Sequence, residues 1–152
     1  MDCHKVLIET EGNIEKAIAI LKDQGLLKAK KKTERTADKG IVETYIHAGG
    51  RIGAMIELNC ETDFVARTEE FKQLAHHLAM QVAAMDPHFI AKEDFKDTGG
   101  NLDPQTACLL LQTDIKDPDK TIQDTIVEVV ARVGENIKIS RFARFELASQ
   151  KT

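Results

Sequence analysis

Tryptophan is absent from this 152-residue chain, and tyrosine occurs once, as Tyr45. Platforms for stacking unpaired bases therefore have few rings to draw on. A basic balance is missing as well. The formal net charge is −4, which excludes nucleic-acid binding by overall surface charge, and direct DNA contact is not expected. Cysteine is scarce: Cys3, Cys60 and Cys108 are odd in number and far apart. That speaks against a disulfide framework or a zinc site and for a reducing compartment. No apolar run approaches a membrane span. Met1-Asp2-Cys3-His4-Lys5 opens the chain without the apolar segment of a signal peptide. A cytoplasmic location and no membrane partner follow as expectations.

Signatures of covalent chemistry are missing too. The chain has no Walker A loop, no G-x-G-x-x-G after a strand, and no H-E-x-x-H, C-x-x-C or G-x-S-x-G. Glu61 and Asp63 form an acid pair, but at i, i+2 in a junction they define no substrate cleft. An enzyme with bond chemistry of its own is not expected. Nor is any catalytic residue, metal-ligand set or cofactor.

What is there reads as a globular domain. Hydrophobic residues make up 42% and charged residues 30%, and the length allows one domain with a real core and a small appendage. Asp2 to Glu9 suits a short helix, with Cys3, Val6 and Leu7 on one side. Glu11-Gly12-Asn13 is a turn, and Asn13 is a good N-cap. Ile14, Ala17, Ile18 and Leu21 then follow at helical spacing, with Gly25 as the expected stop. Lys28, Lys30, Lys31, Lys32, Arg35 and Lys39 crowd the next stretch. It is either a solvated, helical linker or a contact for phosphate or an acidic partner.

A β-hairpin follows. Gly40 to His47 alternates, with Val42, Thr44 and Ile46 on one face and Ile41, Glu43 and Tyr45 on the other. Ala48-Gly49-Gly50 is the turn. Arg51 to Cys60 returns with Ile52, Ala54, Ile56, Leu58 and Cys60 on one buried face. Cys60 ends that apolar alternation and reads as core rather than as a nucleophile. A long helix spans Thr68 to Met85, with Phe71, Leu74, Ala75, Leu78, Val82 and Met85 on one face and Pro87 as terminator. His76 and His77 point about 100° apart and cannot share a metal; both read as surface or boundary residues. Residues 86 to 107 read as an irregular surface connection. Cys108 to Leu111 is a short strand or a core-plugging turn. Thr121 is an N-cap with Asp124 in capping-box position. It opens a helix with Ile122, Ile126, Val129, Val130 and Val133 inward and Gly134 as stop. Asn136 to Leu147 is the third strand. Ile137, Ile139, Ala143, Phe145 and Leu147 share a face, and Phe142 breaks the polar one. The order β-β-α-α-β gives an α+β fold: a three-stranded antiparallel sheet covered by helices.

Between the second strand and the long helix lies Asn59-Cys60-Glu61-Thr62-Asp63-Phe64-Val65-Ala66-Arg67. Two readings stand. In the first, Phe64 tucks inward and Asp63 caps a turn or the coming helix. In the second, Asp63 and Phe64 are a presented wedge, an aromatic ring for a partner's pocket and an acid for the polar groups beside it.

These motifs, taken together, resemble a known family. Met1-Asp2-Cys3-His4-Lys5-Val6-Leu7, Gly12-Asn13-Ile14-Glu15-Lys16-Ala17, Leu58 to Arg67 with its T-D-F-V core, and Gly134-Glu135-Asn136-Ile137 with Arg141-Phe142 resemble bacterial translation elongation factor Ts. The similarity covers almost the whole chain. It implies a guanine-nucleotide exchange factor that binds elongation factor Tu loaded with GDP and promotes exchange for GTP. It implies that Thr62, Asp63, Phe64 and Val65 sit against the partner's G domain and help displace its Mg²⁺. Residues 1–27 would be a partial ubiquitin-associated-like helical module, of which the first helix is not represented. Residues 28–39 would be a basic linker and 40–149 the core domain. Only an irregular loop lies between about Ile90 and Cys108, where larger members carry a further subdomain, so the chain is similar to the compact form. Compact members pair, so a homodimer through Phe142 or a sheet surface is implied. Arg141 and Arg144 either meet the partner or are solvated. The alternatives are an adaptor that docks on ribosomes or RNA through Lys28 to Lys39 without exchange activity, and an inactive paralogue.

Overall fold

The computed structural model describes residues 2–96 and 99–148. Met1 and Ser149, the outer ends of the expected module and core, and residues 97 and 98 of the expected connection lie outside the described residues. Two helices come first, α1 (Asp2–Glu9) and α2 (Ile14–Lys32). Asn13 caps α2: its side chain accepts from the Lys16 amide at 3.0 Å. The expected stop at Gly25 is overturned, because α2 runs unbroken for 19 residues. The reason lies across the interface. A Cβ at Gly25 would sit 3.5 Å from the Ala131 Cβ, so the glycine brings α2 close against a later helix rather than ending it. Lys28, Lys30, Lys31 and Lys32 thereby belong to the last turns of α2. The expected apolar face of α2 is mostly open: Ala17 is buried, but Ile14 and Ile18 are exposed.

Strands β1 (Lys39–Ile46) and β2 (Ile52–Cys60) form the predicted hairpin. Gly49 and Gly50 take positive φ in its turn, which side chains with a Cβ resist. The sheet order is β1-β2-β3, with β3 (Lys138–Glu146) antiparallel to β2. Ala54, Ile56, Leu58 and Cys60 are buried on one face of β2 as predicted. β3 departs from its predicted parity. Glu57 pairs with Arg141 but Leu58 pairs with Ile139, so Ser140 is an extra residue in the strand. Such a bulge reverses the alternation beyond it. Ile139 and Phe142 therefore both turn toward the core, while Ala143 and Phe145 turn outward. Phe142 is not a polar-face anomaly, and it is not the exposed surface that a second copy was expected to use.

Helix α4 (Glu69–Met85) lies across all three strands, capped by Thr68, whose hydroxyl accepts from the Phe71 amide at 3.3 Å. Met85 is exposed rather than inward, and Gln81 is fully buried on that helix instead. α6 (Ile122–Val133) packs on α2 and α4. Its predicted capping box is present, with Thr121 and Asp124 bonded reciprocally. Gly134 in the left-handed conformation ends it. Between α4 and α6 the chain forms a 3-10 turn at Lys92–Asp94, a short helix α5 (Pro104–Ala107) and a second 3-10 turn at Leu109–Leu111, whose Leu109 plugs the core. Among the described residues no helix is long and apolar enough to cross a membrane.

Candidate functional site

The junction after β2 is a one-turn helix, α3 (Asp63–Ala66). Thr62 is its N-cap; the hydroxyl accepts from the Val65 amide at 3.5 Å. Asp63 is thus the first helical residue and not the cap. Ala66 is buried at 4% exposure, and Val65 packs half-buried against the core. With successive side chains about 100° apart, inward Val65 and Ala66 leave Asp63 and Phe64 facing out. Phe64 is 86% exposed. The inward reading of Phe64 is overturned. A ring left in water forgoes about 1.5–3 kcal/mol of burial, so its position is not one that folding alone selects.

The ring has little packing of its own, so the backbone beneath sets its place. That backbone is tied to the segment between α6 and β3. Glu135 accepts from the amides of Glu61 and Thr62, at 3.1 and 3.0 Å, and from the Thr62 hydroxyl at 2.6 Å. Glu61 returns the contact, accepting from the Asn136 amide at 2.7 Å. Asn136 is buried and donates to the carbonyls of Thr33 and Arg35, at 3.3 and 2.8 Å. Three segments remote in sequence meet here. Glu61 and Glu135 each stand in one of the family-like motifs, but nothing local pairs them: the two lie 74 residues apart and meet only on folding.

Cys60 lies beneath, fully buried. Burial, with Glu135 nearby as the second cause, pushes its thiol above the ordinary value. The thiol donates to the Thr62 carbonyl at 3.2 Å, which is the behaviour of a packed core residue and not of a nucleophile. The basic side chains of β3 divide. Arg144 is half-buried and donates to the Ala83 carbonyl at the end of α4, at 2.9 Å, so it is neither solvated nor free for a partner. Arg141 is exposed and pairs with Glu57 at 2.7 Å. That guanidinium holds the Glu57 carboxyl below its ordinary value. His77 is a boundary residue, one of the two expected placements: its side chain is 12% exposed and its Nε2 lies 2.8 Å from Asp114 Oδ1. His76 is exposed, as expected.

An acid and an aromatic ring thus project side by side from a turn held on two sides. Comparisons with known proteins give the family. The family model described as Elongation factor TS matches residues 8–100. An elongation factor Ts of Caldanaerobacter subterraneus subsp. tengcongensis is 46% identical, over 96% of this chain and 88% of the relative. That of Carboxydothermus hydrogenoformans is 44% identical, over 97% and 81%. That of Thermotoga neapolitana is 43% identical, over 99% and 90%. The chain belongs to the elongation factor Ts family, the translation elongation factors of that name.

Proposed function

We propose that this chain binds elongation factor Tu carrying GDP and promotes exchange of GDP for GTP, with Asp63 and Phe64 displacing the bound Mg²⁺. The observation that carries the reading is the 86% exposed Phe64 on a turn held from two sides. Thr62 and Val65 serve the same site from within, one as cap and one as core anchor. The partner's nucleotide is held by a phosphate loop and a bridging cation. A nanomolar nucleotide corresponds to about −12 kcal/mol. A factor that prefers the empty state by about 4 kcal/mol weakens GDP roughly a thousandfold, and GDP weakens the factor equally. Phe64 inserted into the G domain shifts the elements that position the cation, and Asp63 holds the displaced arrangement through hydrogen bonds. No bond of the substrate is made or broken by this chain. The cytoplasm is the place of action on this reading. A second copy of the chain is a further partner, seated on the outer face of the sheet.

The test is release of a fluorescent GDP analogue from elongation factor Tu. The intact chain is expected to accelerate release. Phe64→Ala is expected to lower the rate at saturating factor by about tenfold to a hundredfold, the range of a central interface anchor. Neutralising Lys30, Lys31 and Lys32 is expected to leave that rate within about twofold. No acceleration by the intact chain, with ribosome or RNA binding that is steeply salt-dependent and lost on neutralising the lysines but kept in Phe64→Ala, would favour the adaptor reading instead.

A further inference from the structure

The Gly134-Glu135-Asn136 segment lies apart from the wedge in sequence and beside it in space. A one-turn helix cannot hold itself, because nucleation costs more than a single turn returns. α3 is held from inside by Val65 and Ala66 and at its start by Glu135. One carboxylate there accepts from two consecutive backbone amides and a hydroxyl, all charge-assisted contacts. The Thr62 hydroxyl both donates to Glu135 and accepts from Val65, so the tilt of α3 is referred to Glu135. Glu135 in turn follows directly on Gly134, the stop of a helix packed on α2 and α4. The opposite strap, Glu61 to the Asn136 amide, keeps the two segments from sliding. Arg35 lies 3.7 Å from Glu61, but its exposed side chain adds little.

We propose that Glu135, with Glu61 as its reciprocal strap, is a positioning residue for nucleotide exchange: it sets where Asp63 and Phe64 stand without touching the partner itself. The proposal rests on the exchange reading above. Its distinguishing consequence is that Glu135 acts through Phe64, so the two losses do not multiply.

The experiment measures release of the GDP analogue from elongation factor Tu at rising factor concentration. It compares the intact chain, Phe64→Ala, Glu135→Ala and the double variant. Glu135→Ala is expected to lower the saturating rate by about tenfold, with the half-saturating concentration moved less than about threefold. In the Phe64→Ala background the same change is expected to cost less than about twofold. Glu135→Gln keeps an oxygen for the two amides and is expected to recover part of the rate. In the free chain, amide hydrogen exchange at Glu61 and Thr62 should quicken in Glu135→Ala while the core of α4 stays protected. A full saturating rate in folded Glu135→Ala overturns the proposal. So does an undiminished loss in the Phe64→Ala background. Should Glu135→Ala fail to fold, Glu135→Met, which keeps the length but accepts nothing, decides; failure of both to fold also overturns a positioning role. If the intact chain does not accelerate release, or Phe64→Ala has no effect, the exchange reading falls instead, and the hydrogen-exchange result shows whether the strap exists regardless.

Discussion

Asp114 is 2% exposed and fully partnered. It accepts from the Thr125 hydroxyl at 2.6 Å and the Lys116 amide at 2.7 Å, and His77 lies 2.8 Å away. Burial by itself pushes its carboxyl up, but the bonds from Thr125, Lys116 and His77 outweigh it, and the net shift is below the ordinary 3.8. A depressed folded value means stability that is fully present above 3.8 and is lost as pH falls through the folded value. Asp114→Asn turns an amide toward donors and is expected to cost roughly 1–3 kcal/mol at neutral pH. Urea titrations from neutral pH down past 3.8 should show that gap narrowing; a gap constant across the range would refute the assignment. His77 and Asp114 are 37 residues apart, and nothing local marks either as a partner, which is why the sequence leaves His77 open between surface and boundary. The adjacency of Asp63 and Phe64 was legible. Their outward direction was not, because it depends on Val65 and Ala66 being the pair that the core takes in.

At the scale of elements, a local signal in the sequence decides some boundaries and a neighbouring element decides others. α6 has its cap at Thr121, its apolar spacing and its stop at Gly134, and all three agree with the structure. Gly25 offers the same local signal as Gly134, yet α2 passes through it, since Ala131 approaches from another helix. The alternation of β3 was legible up to Ser140 and inverted beyond it. A bulge leaves no mark in hydrophobic spacing, and here Ser140 is tied to the Asn59 side chain on the neighbouring strand. Gly25 also yields a prediction. A methyl there meets the Ala131 Cβ at 3.5 Å, an ordinary contact, and the residue is helical. Gly25→Ala is expected to stabilise the chain by about 0.5–1 kcal/mol through helix propensity. Thermal unfolding should rise by about 2–4 °C per kcal/mol for a chain of this size. Gly25→Leu should reverse the sign by forcing α2 off α6; a stabilising leucine would show that the two helices are not in close contact in solution.

Across the whole molecule, among the described residues, helices cover one face of the sheet and leave the other bare. Val42, Ile46, Met55 and Phe145 stand on that outer face, each at least 50% exposed. Gly53 and Ala143 lie between them in register, Gly53 opposite both Ile46 and Phe145. Small central residues keep the face flat enough to take another sheet at the usual ~10 Å spacing. The paired Glu57 and Arg141 border the apolar strip at one end, so a lone copy leaves a rimmed hydrophobic patch in water. On the proposed pairing, a two-fold axis through Met55 would set like strip against like. Leu147, also exposed, extends the strip beyond β3. Sedimentation equilibrium is expected to give the dimer mass at micromolar concentration. Met55→Lys, on the central strand and pointing away from the core, is expected to weaken pairing by about a hundredfold or more, the effect of a charge at an interface centre. Its thermal unfolding, extrapolated to low protein concentration, should match that of the intact chain, because Met55 contributes nothing to the covered face. An intact chain that sediments as a monomer at tens of micromolar, or a Met55→Lys variant with undiminished dimer mass, would exclude this face as the dimer contact. The exchange test through Phe64 is independent of that outcome, because α3 leaves the sheet at the far end of β2 from the hairpin turn, well away from Met55.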